Sequence, residues 1–273
     1  MDEEKLFSAQ EYLQVLNLTY ETAQSLEGKL SEDPRLPDCQ QLALKLFMHC
    51  ASSHWLSLGT KAPVPESTGG ANFFDFASIA VIARAALETY LTLFEVFIDP
   101  ANDDEFEFGH ALWQLSGFIV REGIAPTDPS LEEAAIEAGQ DIEYLRDRIR
   151  ATHAYQALTD GQKRAVLNGR RTRNWNDVAV SAGFGLQFVR RIYSYYSGFA
   201  HADGLSGVQV MGAKTPEEQR FHIDMHLFTM LLAMSKMILD YAGKFEEAAK
   251  TLQQHPELHR RILLWTDAVR RLA

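Results

Sequence analysis

Between Phe76 and Phe94 the chain is apolar except for two charged residues, Arg84 and Glu88. Their i, i+4 spacing puts both side chains on one face of a helix. A guanidinium and a carboxylate drawn out of water must pair and hydrogen-bond. The couple is therefore either a structural ion pair that fixes helix register or the charged lining of a cleft. In a cleft, the arginine would offset negative charge on an anionic substrate.

A second concentration of polar side chains lies about a hundred residues later, in the segment ending YSYYSGFAHADG. Arg190, Ser194, Ser197 and His201 fall at steps of four, three and four and so share a stripe, flanked by Val189 and Tyr193. Tyr195, Tyr196 and Phe199 make much of the remaining circumference apolar, and Gly198 permits a close approach. His201 is the general acid/base candidate, because imidazole titrates near neutrality. An exposed polar face and the wall of a site both fit this pattern.

Other constellations carry weaker signals. Arg170, Arg171 and Arg173 form a basic turn with Lys163, Arg164, Arg190 and Arg191 close in sequence, and Trp175 lies within it. Arg170, Arg171, Arg173 and Arg190 are the candidates for contact with nucleic-acid phosphates. The alternative is a solvated loop that balances nearby acids. His222 and His226 have the i, i+4 spacing of zinc-binding histidines, but no glutamate or thiolate in sequence completes a zinc motif. The two cysteines, Cys39 and Cys50, are eleven positions apart on one expected helix, about 16 Å along its axis, too far for a disulfide. Neither a metal nor another cofactor is called for. No P-loop, GxGxxG, GxSxG or kinase signature occurs.

The elements that must hold these residues are helices. Over 273 residues the 3.6-residue period is nearly continuous and strand alternation is absent. The fold class expected is all-α, a bundle of roughly eight to ten helices, forming one domain over residues 1–273 with a small C-terminal helical extension at 251–273. Helices are expected over 8–30, 38–58, 72–98, 102–122, 128–158, 159–168, 175–182, 186–202, 215–250 and 256–271, with loops at 59–70 and 204–214. Asp38, Thr159 and Thr215 are the expected caps. Composition, with 46% hydrophobic and 23% charged residues, excludes disorder. A net charge of −11 disfavours wholesale wrapping by nucleic acid or by an anionic membrane. The acidic N-terminus lacks the pattern of a secretory signal, and Arg84 and Glu88 would be costly in lipid, so a cytoplasmic location without membrane contact is expected.

Arg84-x-x-x-Glu88 on an apolar helix, followed by Tyr193-x-x-x-Ser197-x-x-x-His201, resembles a family of bacterial helical proteins. That family combines an R-x-x-x-E helix with a later S-x-x-x-H element, and the likeness spans residues 72–204 with WNDVAVSAG (175–183) just upstream. It has no settled reaction, and it implies a polar site at these five residues. The broad appearance is similar to the HEPN superfamily of metal-independent ribonucleases, whose signature is R-x(4–6)-H. Literal matches occur at Arg148-x4-His153 and Arg220-x5-His226, while His201 has no arginine at that spacing before it. The HEPN likeness implies an RNA-cleaving or defence- and toxin-related protein; in such an enzyme the two polar constellations of this chain would supply His201 as acid/base and Arg84 at the phosphate. The alternative is a non-catalytic interaction or scaffold module in which Arg84, Glu88, Ser197 and His201 form a buried network. RNA, a protein partner or a second copy of the chain are the partners in view. DNA is disfavoured: Trp175 to Tyr195 can be read as helix-turn-helix, but its second helix is too rich in Tyr and Phe for an exposed DNA reader.

Overall fold

The structure, a computed structural model, describes residues 7–31, 33–61, 72–122, 132–201 and 203–271. Among these the chain is helical almost throughout. Thirteen α-helices occur, together with one 3-10 turn, one π-helical turn (Phe94–Ile98) and a two-residue antiparallel pairing of Thr60–Lys61 with Asn72–Phe73. The all-α expectation agrees with this architecture, but eight to ten helices is too few.

Three local causes account for the difference. The helix expected over 128–158 breaks at Thr152, whose hydroxyl accepts from the Tyr155 N–H and starts a new short helix. Its expected start at 128–130 lies outside the described residues. The helix expected over 215–250 divides at Phe245, which is extended (φ −123°, ψ 126°). The supposed loop at 204–214 is a helix, with Asp203 as its N-cap accepting from the Ser206 N–H.

The chain groups into two compact units. The first comprises residues 1–93 and 179–273, the second 94–178. In the first unit the helices are α1 (Ala9–Gln24), α2 (Leu36–Ser57), α3 (Phe76–Leu93), α9 (Leu186–Ala200), α10 (Gly204–Gly212), α11 (Pro216–Lys244), α12 (Glu246–Gln253) and α13 (Pro256–Arg271). Ser8 and Glu11 form a capping box at α1, and Thr215 and Glu218 form another at α11 with Pro216 at the first helical position. Asp38 does not cap α2, which begins two residues earlier with Pro37 inside its first turn, where no amide N–H is needed.

The core of this unit forms where α2, α3 and α11 pack together. On α3, Phe76, Ile79, Ala80, Ala83, Leu87, Tyr90 and Leu91 are buried at steps of three, one, three, four, three and one. The alanines keep this stripe low, so neighbouring helices approach closely. α11 contributes Met230, Leu231, Met234, Ile238 and Tyr241. Cys39 and Cys50 are free and buried, and burial pushes the Cys39 thiol up to about 12. Gly183, with φ +89°, ends the preceding short helix and turns the chain into α9 through Gly185, its N-cap.

The second unit holds α4 (Asp103–Glu122), α5 (Glu132–Arg150), α6 (His153–Gln156) and α7 (Asp160–Leu167). Its core is Ala111, Leu112, Leu115, Ile142, Leu145, Ile149 and Val166. Thr159 caps α7 in a capping box with Gln162, as expected. The remaining helix, α8 (Trp175–Ser181), spans the division between the units. Among the described residues no helix is long and apolar enough to cross a membrane.

Candidate functional site

Arg84 and Glu88 sit on the flank of α3, beside its buried stripe. Their side chains keep 19% and 30% of their exposure. Arg84 Nε donates to Glu88 Oε1 at 3.0 Å, as the i, i+4 spacing requires. The rest of the guanidinium reaches α9, more than a hundred residues away. Nη2 donates to Tyr193 OH at 3.1 Å and Nη1 to Ser197 Oγ at 3.4 Å. Tyr193 OH in turn donates to Glu88 Oε1 at 2.8 Å, and the guanidinium carbon stands 5.0 Å from the centre of the Tyr193 ring.

The fifth member is His201, whose Nε2 lies 3.4 Å from Arg84 Nη1. An arginine only donates, so this contact requires the lone pair on Nε2 and the proton on Nδ1. His201 is the C-cap of α9, held by its backbone N–H to Ser197 O at 3.0 Å, with its side chain exposed to solvent. Arg84, Glu88, Tyr193, Ser197 and His201 thus meet at one solvent-open place within the first unit.

The electrostatics follow from the pairing. Burial alone would lower the Arg84 pKa, yet hydrogen bonds and charge from Glu88, with help from Tyr193, raise it above its ordinary value. Burial, reinforced by the Glu88 carboxylate, pushes the Tyr193 phenol up. The cluster therefore presents a permanent cation and a protonated phenol beside an imidazole. The chemistry available is neutralisation of an anion by Arg84 with proton transfer at His201 Nε2.

The polar stripe read from α9 divides in two. Tyr193, Ser197 and His201 face Arg84. Ser194 and Arg190 instead line an open cavity of about 420 Å³ between α9 and α10, with Arg191, Gly198 and Asp203. At 100° per residue Ser194 and Gly198 are the next row round the helix from Ser197. Gly198 is where the close approach occurs, because a Cβ there would lie 2.5 Å from Asp203 Oδ2. Asp203 is not among the residues that spacing and composition mark. Its sequence signal is an Asp three residues before Ser206, obscured by the glycines that disfavour a helix there.

Arg170, Arg171 and Arg173 belong to the second unit, and Arg190 to the first. Arg170 is exposed. Arg171 pairs with Glu95 and stacks 3.5 Å from the Trp175 ring centre, while Arg173 pairs with Asp99. These two guanidinium groups have carboxylate partners inside the protein.

Neither literal R-x-H match brings its arginine to its histidine. Arg148 donates to Glu107 and Gln114, whereas His153 bonds Asp104. Arg220 lies over the Phe74 ring, 4.4 Å from its centre, whereas His226 is fully buried. The His222/His226 pair is equally divided. His222 Nδ1 is 3.2 Å from Tyr195 OH, and its ring stacks 4.7 Å from that of Phe76. His226 is enclosed by the rings of Tyr195, Tyr196 and Phe199. Among the described residues no group of three His, Cys, Asp or Glu side chains converges as a metal site needs. Comparison of the chain with known protein families, with curated proteins and with solved structures found no match.

Proposed function

We propose that this protein cleaves RNA by a route that uses only its own side chains, in keeping with the HEPN-like appearance of its sequence, and that it acts in the cytoplasm. The observation that carries the proposal is the 3.4 Å approach of Arg84 Nη1 to the Nε2 of an exposed histidine, His201. In the reaction, Arg84 Nη1 turns from His201 to the phosphate, and the Nε2 lone pair so freed takes the proton of a ribose 2′-hydroxyl. The 2′-oxygen attacks the adjacent phosphorus, the bond to the 5′-oxygen breaks, and the imidazolium returns its proton to that leaving oxygen. The products are a 2′,3′-cyclic phosphate and a 5′-hydroxyl, with no change in oxidation state.

Arg84 offsets charge on the non-bridging oxygens while Glu88 and Tyr193 hold its orientation. Ser197 Oγ accepts from Arg84, which leaves its own proton for a phosphate oxygen. The test is incubation of the full chain with a labelled single-stranded RNA in the presence of a metal chelator. Products ending in cyclic phosphate are expected, with none from a strand carrying 2′-deoxyribose at the scissile position. An intact RNA, or equal cutting of the deoxy strand, refutes the proposal.

A second function is favoured by the completeness of the Arg84 bonding, because Glu88, Tyr193 and Ser197 together satisfy much of the guanidinium. In that case the cluster is a brace between α3 and α9 in a non-catalytic interaction module. Removing Glu88 strips Arg84 of its carboxylate and Tyr193 of its acceptor. Glu88→Ala is expected to cost about 1–2 kcal/mol, or ~3–6 °C in melting temperature by calorimetry. Under RNA cleavage, activity falls further than this loss of folded protein explains. Under the brace alone, any function falls only in proportion to unfolding.

A further inference from the structure

The cavity between α9 and α10 lies one row round α9 from the Ser197 and His201 face, and the Arg84 cluster makes no use of it. Its volume of about 420 Å³ lies in the range of small-molecule sites. At one end stand Arg190 and Arg191, both exposed and without an ion-pair partner among the described residues. Two such guanidinium groups suit a phosphate, which they engage through paired N–H donors.

At the other end is the Asp203 carboxylate. Its Oδ1 accepts the Ser206 N–H at 2.8 Å, which fixes the group at the start of α10. Its Oδ2 rests against Gly198, where only a residue without Cβ leaves room for it. A carboxylate accepts and never donates, so Oδ2 calls for a ligand edge rich in N–H groups. Leu205, largely exposed on α10, offers an apolar surface beside it, and Gln209 a further amide. Arg191 and Gly198 are seven residues apart, about 10 Å along the helix axis. That is on the order of the distance from a nucleotide's phosphate to the far edge of its base.

We propose that this cavity is a guanine-nucleotide subsite. Arg190 and Arg191 hold the phosphate, Leu205 lies against the base, and Asp203 accepts from guanine N1–H and its exocyclic amine. Among the RNA bases only guanine presents two adjacent N–H donor positions on its pairing edge. The subsite deepens the RNA-cleavage proposal and rests on it for its biological meaning, since it would place a guanosine beside the scissile phosphate at His201. Its ligand binding is measurable without any cleavage.

Titration calorimetry of the full chain with the 5′-monophosphates of guanosine, adenosine, cytidine and uridine tests it. Guanosine monophosphate is expected to bind about tenfold or more tightly than the other three, the discrimination of one bidentate pair. Asp203→Asn keeps a competent helix cap, because asparagine caps as well as aspartate, but it replaces half of the acceptor pair by a donor. It is expected to abolish the guanine preference with circular dichroism unchanged. Arg191→Ala is expected to weaken all four nucleotides alike. Equal affinities in the wild type, no binding of guanosine monophosphate, or a preference undiminished in Asp203→Asn overturns the subsite, whatever the cleavage assay gives. Selective binding without RNA cleavage upholds the subsite and overturns the cleavage proposal instead.

Discussion

Replacing His201 with alanine is expected to slow the proposed RNA cleavage by about 10²–10⁴-fold, the usual contribution of a positioned acid/base. Stability should move little, by ~0.5 kcal/mol or less. The side chain is exposed at the end of α9, and its one polar contact among the described residues, to Arg84, is long at 3.4 Å. Arg84→Ala should cost about 10²–10³-fold in rate, comparable to the loss of a preorganised charge-stabilising donor, together with some stability because Glu88 and Tyr193 lose their partner. In the proposed mechanism both residues act on one phosphate within one step. The double variant should therefore fall little below the weaker single variant under single-turnover conditions, rather than by the product of the two effects. Multiplicative losses would mean that the two residues act in separate steps.

The second large effect concerns stability in acid. His226 is fully buried on α11, and among the described residues neither ring nitrogen has a hydrogen-bond partner. Burial, with a smaller contribution from His222 on the same helix, lowers its pKa to about 3 from an ordinary 6.5. Tyr195 and Tyr196 face it from α9. The folded pKa lies below the unfolded one, so between these values the unfolded chain binds the extra proton. The folded state therefore loses stability as pH falls from about 6.5 toward 3, by roughly 1.4 kcal/mol per unit. By pH 4.5 the loss from this residue alone is ~3 kcal/mol.

His226→Leu removes that titration and the two unpaired nitrogens. Urea unfolding of both proteins at pH 7 and pH 4.5 isolates the effect, since every other titrating group is common to them. The advantage of the leucine variant should widen by ~3 kcal/mol at the lower pH. Parallel losses in the two proteins would contradict a buried neutral imidazole at this position.

The helical class and half of the candidate site were legible because both depend on short-range geometry. Arg84 and Glu88 meet because four residues make one helical turn, and an ion pair stranded in an apolar stretch advertises itself. The period of α9 likewise aligns Tyr193, Ser197 and His201. What the sequence lacked was phase. By spacing, Arg190, Ser194, Ser197 and His201 form one stripe, yet Ser194 turns toward α10 and Tyr193 toward Arg84. A hundred-degree step leaves neighbouring rows ambiguous until the buried side is known, and the burial of Val189 and Tyr196 settles it.

α10 was missed for a different reason. Gly204, Gly207 and Gly212 speak against a helix by propensity, and the Asp203 cap with packing against α9 overrides them. The loss mattered, because Asp203 and the cavity went with it. The pairing of Arg171 and Arg173 is hidden from the sequence for another reason. Counting charge along the sequence cannot reveal that Glu95 and Asp99 are folded against them.

The most direct measurement is cleavage of a DNA strand carrying a single ribonucleotide by folded His201→Ala, with and without added imidazole. If His201 moves the proton of the 2′-hydroxyl, the variant is nearly inert alone. Its rate then rises with the concentration of free imidazole base while the wild-type rate does not. A folded His201→Ala protein that cuts the strand as fast as the wild type, with no imidazole present, contradicts the account.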